Sequence, residues 1–188
     1  MDNFGFLKVA AAIPHLRVGD CDYNAERMAA MAEEAARRGV EIAAFPELGV
    51  TAYTCGDLVL QSTLLDAADE ALARLVKATR KLPLVIIAGA PLRHGSTLYN
   101  CAVVFTQGRV LGVVPKTYIP DYTEFYENRW FASGAASRKR RSPSRNRAPT
   151  SARTSRSGST ARNSASKSAR TSGPPFRLRR TSRSTAPR

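Results

Sequence analysis

Beyond Glu127 this 188-residue chain has no aspartate or glutamate, and beyond Cys101 it has no cysteine. The first absence divides the chain. All 15 acidic residues lie before Ala135 together with 13 of the 29 Lys and Arg, so that part carries 13 − 15 = −2. Residues 135–188 hold the other 16 basic residues and no acid, a charge of +16. The formal +14 of the whole chain therefore describes neither part. Cys21, Cys55 and Cys101 lack metal-ligand or disulfide-framework spacing, which fits a reducing compartment. Long apolar runs are missing too. The stretch Val9–Ile13 is too brief for a signal peptide and nothing is long enough to span a bilayer, so a cytoplasmic protein is expected. The length suffices for one core and little more.

What is present before residue 135 reads as alternating strands and helices. Gly5–Ile13 is apolar and closed by Pro14, a first strand. Asn24 is placed to cap a helix running to Arg38, with Met28, Met31 and Ala35 at helical spacing and Gly39 just past the end. Val40–Phe45 returns as a second strand, which makes the opening a βαβ unit. Residues 49–57 are turn-rich and expected as loop. A second helix fits Leu64–Lys81. Leu84–Ala90, Thr97–Phe105 and Val110–Pro115 follow as strands, the last two joined as a hairpin through residues 106–109. This order predicts an α/β fold with a mixed sheet.

Two stretches carry chemistry. In Ile42-Ala43-Ala44-Phe45-Pro46-Glu47-Leu48, the proline cannot donate to a ladder, so the strand ends there and Glu47 stands at its end. Open α/β sheets present their chemistry at that edge. The second stretch is Pro115-Lys116-Thr117-Tyr118-Ile119-Pro120-Asp121-Tyr122-Thr123-Glu124-Phe125-Tyr126-Glu127, a lysine directly after a strand and then an aromatic, acidic loop. Taken singly, the glutamate reads as a surface residue and the lysine as a solvated one. His15 and His94 read as loop residues, and the three cysteines as small buried or loop thiols.

Together the two stretches resemble the nitrilase, or carbon–nitrogen hydrolase, superfamily, and within it the glutaminase domain of glutamine-dependent NAD synthetases. The resemblance is carried by Phe45-Pro46-Glu47-Leu48 with Tyr53 and Asp57, by Gly89-Ala90-Pro91-Leu92-Arg93, and by Tyr99-Asn100. Leu111 to Lys116, Phe125-Tyr126-Glu127 and Arg129 to Gly134 complete it. It covers residues 1–134 and implies an αββα sandwich, present here in part. By resemblance, Glu47 would be the general base and Lys116 the cation facing the tetrahedral oxyanion. Tyr122 would help to hold glutamine, with Tyr53 and Glu127 in the same pocket. The residue types suit the chemistry: a thiol needs a base, leaving ammonia needs a proton, and an oxyanion needs a positive charge. No metal or cofactor is implied for this domain; ATP and deamido-NAD would bind the synthetase domain, which is missing from this sequence. A homo-oligomer is expected for the full-length family. Another nitrilase-type amidase or carbamoylase is the alternative.

The family's nucleophile is a cysteine that follows the lysine, and no cysteine follows Lys116. This polypeptide is therefore expected to be inactive. Residues 135–188 are Arg, Ser, Ala, Thr and Pro with almost no core-forming residues, an expected disordered tail. Such a tail binds nucleic acid at most non-specifically, through phosphates; an α/β body delivering a nucleic-acid-binding tail is the alternative of another class. A shifted reading frame explains the composition better. In the frame one base earlier, Ser166 to Leu178 permit V-E-I-C-E-D-L-W-x-P-I-P-P, which resembles the family's nucleophile motif. Its cysteine codon straddles Ser168 and Ala169. Ser151 to Ser155 permit F-G-T-D-L in the same frame. The shift is expected between Gly134 and Arg147.

Overall fold

Residues 5–135 are described in the computed structural model of the chain. The expectation of a disordered tail falls on residues 135–188, which beyond Ala135 lie outside the described part. Five strands form one mixed sheet in the order β1-β2-β3-β4-β5: β1 Val9–Ala11, β2 Ile42–Ala44, β3 Val85–His94, β4 Thr97–Thr106 and β5 Arg109–Pro115. β1, β2 and β3 are mutually parallel, and β4 is antiparallel to both β3 and β5. The expected mixed α/β order is what forms.

The helices are α1 Cys21–Arg37 and α2 Ser62–Ala78. Each crosses between adjacent parallel strands, and right-handed crossovers place both on one face of the sheet, where they pack against each other. The sheet turns Ala43, Ile86, Ala88, Val103 and Phe105 toward that layer, all of them buried. Met28 and Leu72 fill the layer from α1 and α2, each fully buried. Side chains of that size contribute about 1.5–3 kcal/mol each on burial. Strand alternation sends Val9, Ala11, Ala44 and Val114 to the other face, where they are exposed, with Ile87 and Val104 half-buried. Among the described residues, no second layer covers this face.

Several boundaries differ from the sequence reading. The first strand shrinks to three residues, because only those pair with β2. Asn24 does not cap α1. The cap is Asp20, whose carboxylate accepts from the Tyr23 amide at 3.2 Å. Asn24 is fully buried instead. Its side chain accepts from Arg17 N at 2.7 Å and donates to Arg17 O at 2.8 Å and to Val50 O at 3.1 Å, tying two loops together. Gly39, with φ +70, ends the helix region as expected. α2 begins two residues earlier and ends three residues earlier than Leu64–Lys81, the Thr79 hydroxyl closing it on Leu75 O. Part of the expected loop 49–57 is a 3₁₀ segment, Tyr53–Leu60, kinked at Thr54 and Gly56. So short and irregular a helix shows no 3.6-residue period in the sequence. His94 is the last residue of β3 rather than a loop residue, whereas His15 lies in irregular chain.

Candidate active site

β5 runs antiparallel to β4, which is antiparallel to β3, so β2, β3 and β5 share a direction and end at the same edge of the sheet. Glu47 follows β2 and Lys116 follows β5. Two strands separate them, at about 4.8 Å per strand, too far for a side-chain contact from the strand ends alone. The turn after Pro46 closes the gap by lying across β3. Gly49 N bonds Pro46 O at 3.1 Å, Thr51 N bonds Leu48 O at 3.0 Å, and Val50 N bonds Gly89 O on β3 at 3.1 Å. Gly89 makes this possible, since a Cβ there would sit 2.4 Å from Leu48 N and 2.5 Å from Pro46 O. Leu48 plugs the core with only 2 % exposure and holds φ at +50, a strained value for leucine. Burying Leu48 commits its neighbour Glu47 to the open edge.

There Glu47 Oε1 accepts from Lys116 Nζ at 2.6 Å and from Asn100 Nδ2 at 2.5 Å. Lys116 Nζ also reaches both oxygens of Glu127, at 3.1 and 3.0 Å. Glu127 Oε1 accepts from the Tyr53 hydroxyl at 2.6 Å. One ammonium thus joins two carboxylates, one of them, Glu127, with a side chain only 3 % exposed. Burial pulls the Lys116 pKa down, but the hydrogen bonds and charges of Glu47 and Glu127 outweigh it, and the net direction is upward. The Tyr53 phenol is pushed up by burial first, then by its bond to Glu127.

Four of the five residues singled out in the sequence, Glu47, Lys116, Glu127 and Tyr53, meet here. Tyr122 does not join them. It sits in a two-stranded hairpin, β6 Asp121–Tyr122 with β7 Phe125–Tyr126, largely exposed and edge-on to Phe125 at 5.8 Å. Beside the cluster is a cavity of about 260 Å³ walled by Tyr53, Phe125, Tyr126 and Trp130 with Glu124 and Glu127.

Asn100 belongs to the site although the sequence reading assigns it no role. It is 3 % exposed and holds both partners, its side chain on Glu47 and its carbonyl on Lys116 N at 2.8 Å. A polar residue inside an apolar strand was its one signal. Asp57 is also structural. It accepts from Arg129 Nε at 2.7 Å and Nη2 at 2.8 Å, and from Trp130 Nε1 at 2.7 Å, which anchors the cavity wall to the 3₁₀ segment. Those bonds, Arg129 foremost, hold its carboxyl well below the usual range.

The three cysteines stand apart from this chemistry. All are buried. Burial pushes Cys21 up to about 11 and Cys101 up to about 12, and raises Cys55 as well. Thiols held protonated are poor nucleophiles. Among the described residues, no group of His, Cys, Asp and Glu is placed to hold a metal ion, and no helix is long and apolar enough to cross a membrane.

A carboxylate against a protonated amine, at the mouth of an aromatic cavity, offers a proton acceptor and a fixed positive charge to one reacting centre. Comparison with known proteins bears on what that centre is. A profile of the carbon-nitrogen hydrolase family matches residues 8–149. The glutamine-dependent NAD(+) synthetase of Mycobacterium tuberculosis is 46 % identical over 134 residues, 71 % of this chain and 20 % of that protein. The crystal structure of a glutamine-dependent NAD(+) synthetase from Cytophaga hutchinsonii superposes with a TM-score of 0.63 at 28 % identity, covering 68 % of this chain and 22 % of that one. An amidase from Nesterenkonia, solved with acrylamide added at its active-site cysteine, shares the fold at a TM-score of 0.58 and 20 % identity, covering 69 % of this chain and 50 % of that one. The chain spans about a fifth of the length of the curated relatives it matches.

Proposed function

The chain belongs to the carbon–nitrogen hydrolase family, and from that premise we propose that residues 1–134 are the N-terminal part of the glutamine amidohydrolase domain of a glutamine-dependent NAD(+) synthetase. The observation that carries the reading is Glu47 on Lys116 at 2.6 Å, with Glu127 on the far side of the same ammonium. In this reading Glu47 is the general base. It takes the proton of an attacking thiol and returns it to the nitrogen as the C–N bond breaks and ammonia leaves. A water, activated by the same carboxylate, then cleaves the thioester. Lys116, kept protonated by its two carboxylates, faces the oxyanion that forms on the carbonyl oxygen. Asn100 fixes the orientation of Glu47. Tyr53 and Glu127 line the substrate pocket, and Tyr122 stands outside it in the hairpin.

The thiol is the missing part. Cys21, Cys55 and Cys101 all precede Lys116 and are buried with raised pKa values. The 188-residue polypeptide therefore does not hydrolyse glutamine, and the segment after Gly134 is an out-of-frame reading of the part that bears the nucleophile. Ammonia, and ATP-dependent conversion of deamido-NAD, belong to the longer protein that such a frame would encode.

Two experiments test this. Purified chain should release no ammonia from glutamine above a Glu47→Ala control; release above that control overturns the assignment of the missing thiol. Sequencing the DNA between the codons of Gly134 and Arg147 should reveal the shift, and the frame-restored protein should hydrolyse glutamine. Glu47→Gln or Lys116→Ala should then cost about 10²–10⁴-fold in rate. A stop codon before the cysteine, or a restored protein without glutaminase activity, defeats the reading.

A further inference from the structure

The face of the sheet opposite the helices is apolar along every row that the strand register sets. Ala11, Ala44, Ile87, Val104 and Gly112 are successive partners from β1 to β5 and form the middle row. The row before it runs Val9, Ile42, Val85 and Thr106, and the row after it ends in Ala102 and Val114. None of these residues is charged, and the Thr106 hydroxyl donates to Leu84 O at 2.8 Å. Charge is plentiful elsewhere: on α1 Glu34 holds Arg37 and Arg38, and Asp22 meets Arg74 of α2. A sheet face built for water alternates apolar-in with polar-out. Here the outward positions are apolar as well, and Val9 and Val114 stay 65 % and 60 % exposed. A contiguous apolar patch of this extent marks an interaction surface.

Size and composition name the occupant. Five strands at about 4.8 Å and three rows at about 6.8 Å give a face of about 500 Å² per copy. Two such faces bury about 1,000 Å², the size at which a specific interface becomes stable, and Ile13 and Leu111, exposed at the margins, add to it. The rest of this chain supplies no cover. Beyond Ala135 its only large apolar residues are Phe176 and Leu178, among 16 basic residues. A matching apolar face is present on every other copy. Because α1 and α2 lie on the reverse of the sheet, such a pairing uses each copy once and closes at two. We propose that the 188-residue chain forms a twofold dimer by packing these uncovered sheet faces together, with Ile87 and Val104 at the centre of the sheet-on-sheet contact. The pairing depends on the sheet alone and is independent of the chemistry assigned to the site.

The test is the mass of the purified full chain by light scattering and sedimentation, from about 1 to about 100 µM. A species of twice 20.4 kDa is expected, dissociating on dilution. Each copy carries a formal +14, so apolar pairing should hold or tighten in about 0.5 M salt, whereas a basic segment docked on another copy's acidic residues would dissociate. Ala44→Lys and Val114→Lys set like charges face to face at exposed positions, and each should raise the dissociation constant about tenfold or more. Leu60→Lys, at a comparably exposed apolar residue of the 3₁₀ segment, should leave it within about twofold. Circular dichroism checks that each variant is folded. Where one is not, the wild type decides: anilinonaphthalenesulfonate emission per chain should rise on dilution as the apolar face opens. A chain monomeric at about 100 µM, a dimer that salt disperses, or growth past two copies would each overturn the proposal. So would a dimer that the two sheet variants leave intact, equal weakening by Leu60→Lys, or dye emission unchanged on dilution.

Discussion

Replacing Gly89 by alanine tests whether the close crossing of the Glu47 turn over β3 is what brings the site together. The added Cβ would lie 2.4 Å from Leu48 N, 2.5 Å from Pro46 O and 2.9 Å from Glu47 C, all backbone atoms. Ordinary contacts of this kind begin near 3.4 Å, so the turn has to lift by about 1 Å. It has little freedom to do so. Leu48 is already at φ +50 and buried, and Val50 N is bonded to Gly89 O itself. Overpacking costs about 1–3 kcal/mol, and losing that hydrogen bond adds about 1 kcal/mol. The sum of about 2–4 kcal/mol is a large part of a typical domain stability of about 5–15 kcal/mol. Thermal unfolding should fall by about 10 °C. Gly112→Ala on β5 is the matched control, because a Cβ there meets nothing within 4 Å and its φ is not positive. It should be neutral or slightly stabilising. Melting curves of the two variants at low protein concentration decide the matter. If Gly89→Ala melts within a degree of the wild type, the crossing is looser than described and Glu47 is held some other way.

Asn100→Ala removes the donor to Glu47 at a site that is 3 % exposed, and should cost about 1–3 kcal/mol in urea unfolding, with Asn100→Asp at least as harmful through like charge. Lys116 has a raised folded-state pKa, so its contribution is fully present below the ordinary lysine value of 10.5 and is lost as pH rises through the folded value. The stability difference between wild type and Lys116→Met should therefore shrink above that pH, and a difference that stays flat to pH 12 refutes the ion-pair account. Asp57 has a lowered pKa, so its contribution is present above the ordinary value of 3.8 and is lost as pH falls further. Trp130 emission should shift on acidification through that range, and Asp57→Ala should show the shifted emission already at neutral pH.

Several features were legible in the sequence because they are local. Pro46 ends a strand wherever it stands, an apolar run of that length is a strand, and Gly39 ends a helix, so Glu47 and Lys116 could be placed at strand ends before any fold was known. The two kinds of sequence on either side of residue 135, and the absence of a cysteine after Lys116, are facts of composition alone. Helix caps were less legible, because Asp20 and Asn24 are equally good cap formers and only the packing of Asn24 against Val50 separates them. The tertiary structure decided what depends on register and direction. Glu47 and Lys116 meet because β5 runs with β2 and because a glycine on β3 leaves room for a turn to cross it. Glu127 and Tyr53, 74 positions apart, share a proton donor and acceptor only once the aromatic loop folds back over the 3₁₀ segment. That one apolar face of the sheet is uncovered among the described residues likewise follows from which side both crossover helices take, a matter of strand order and handedness that no single stretch of sequence contains.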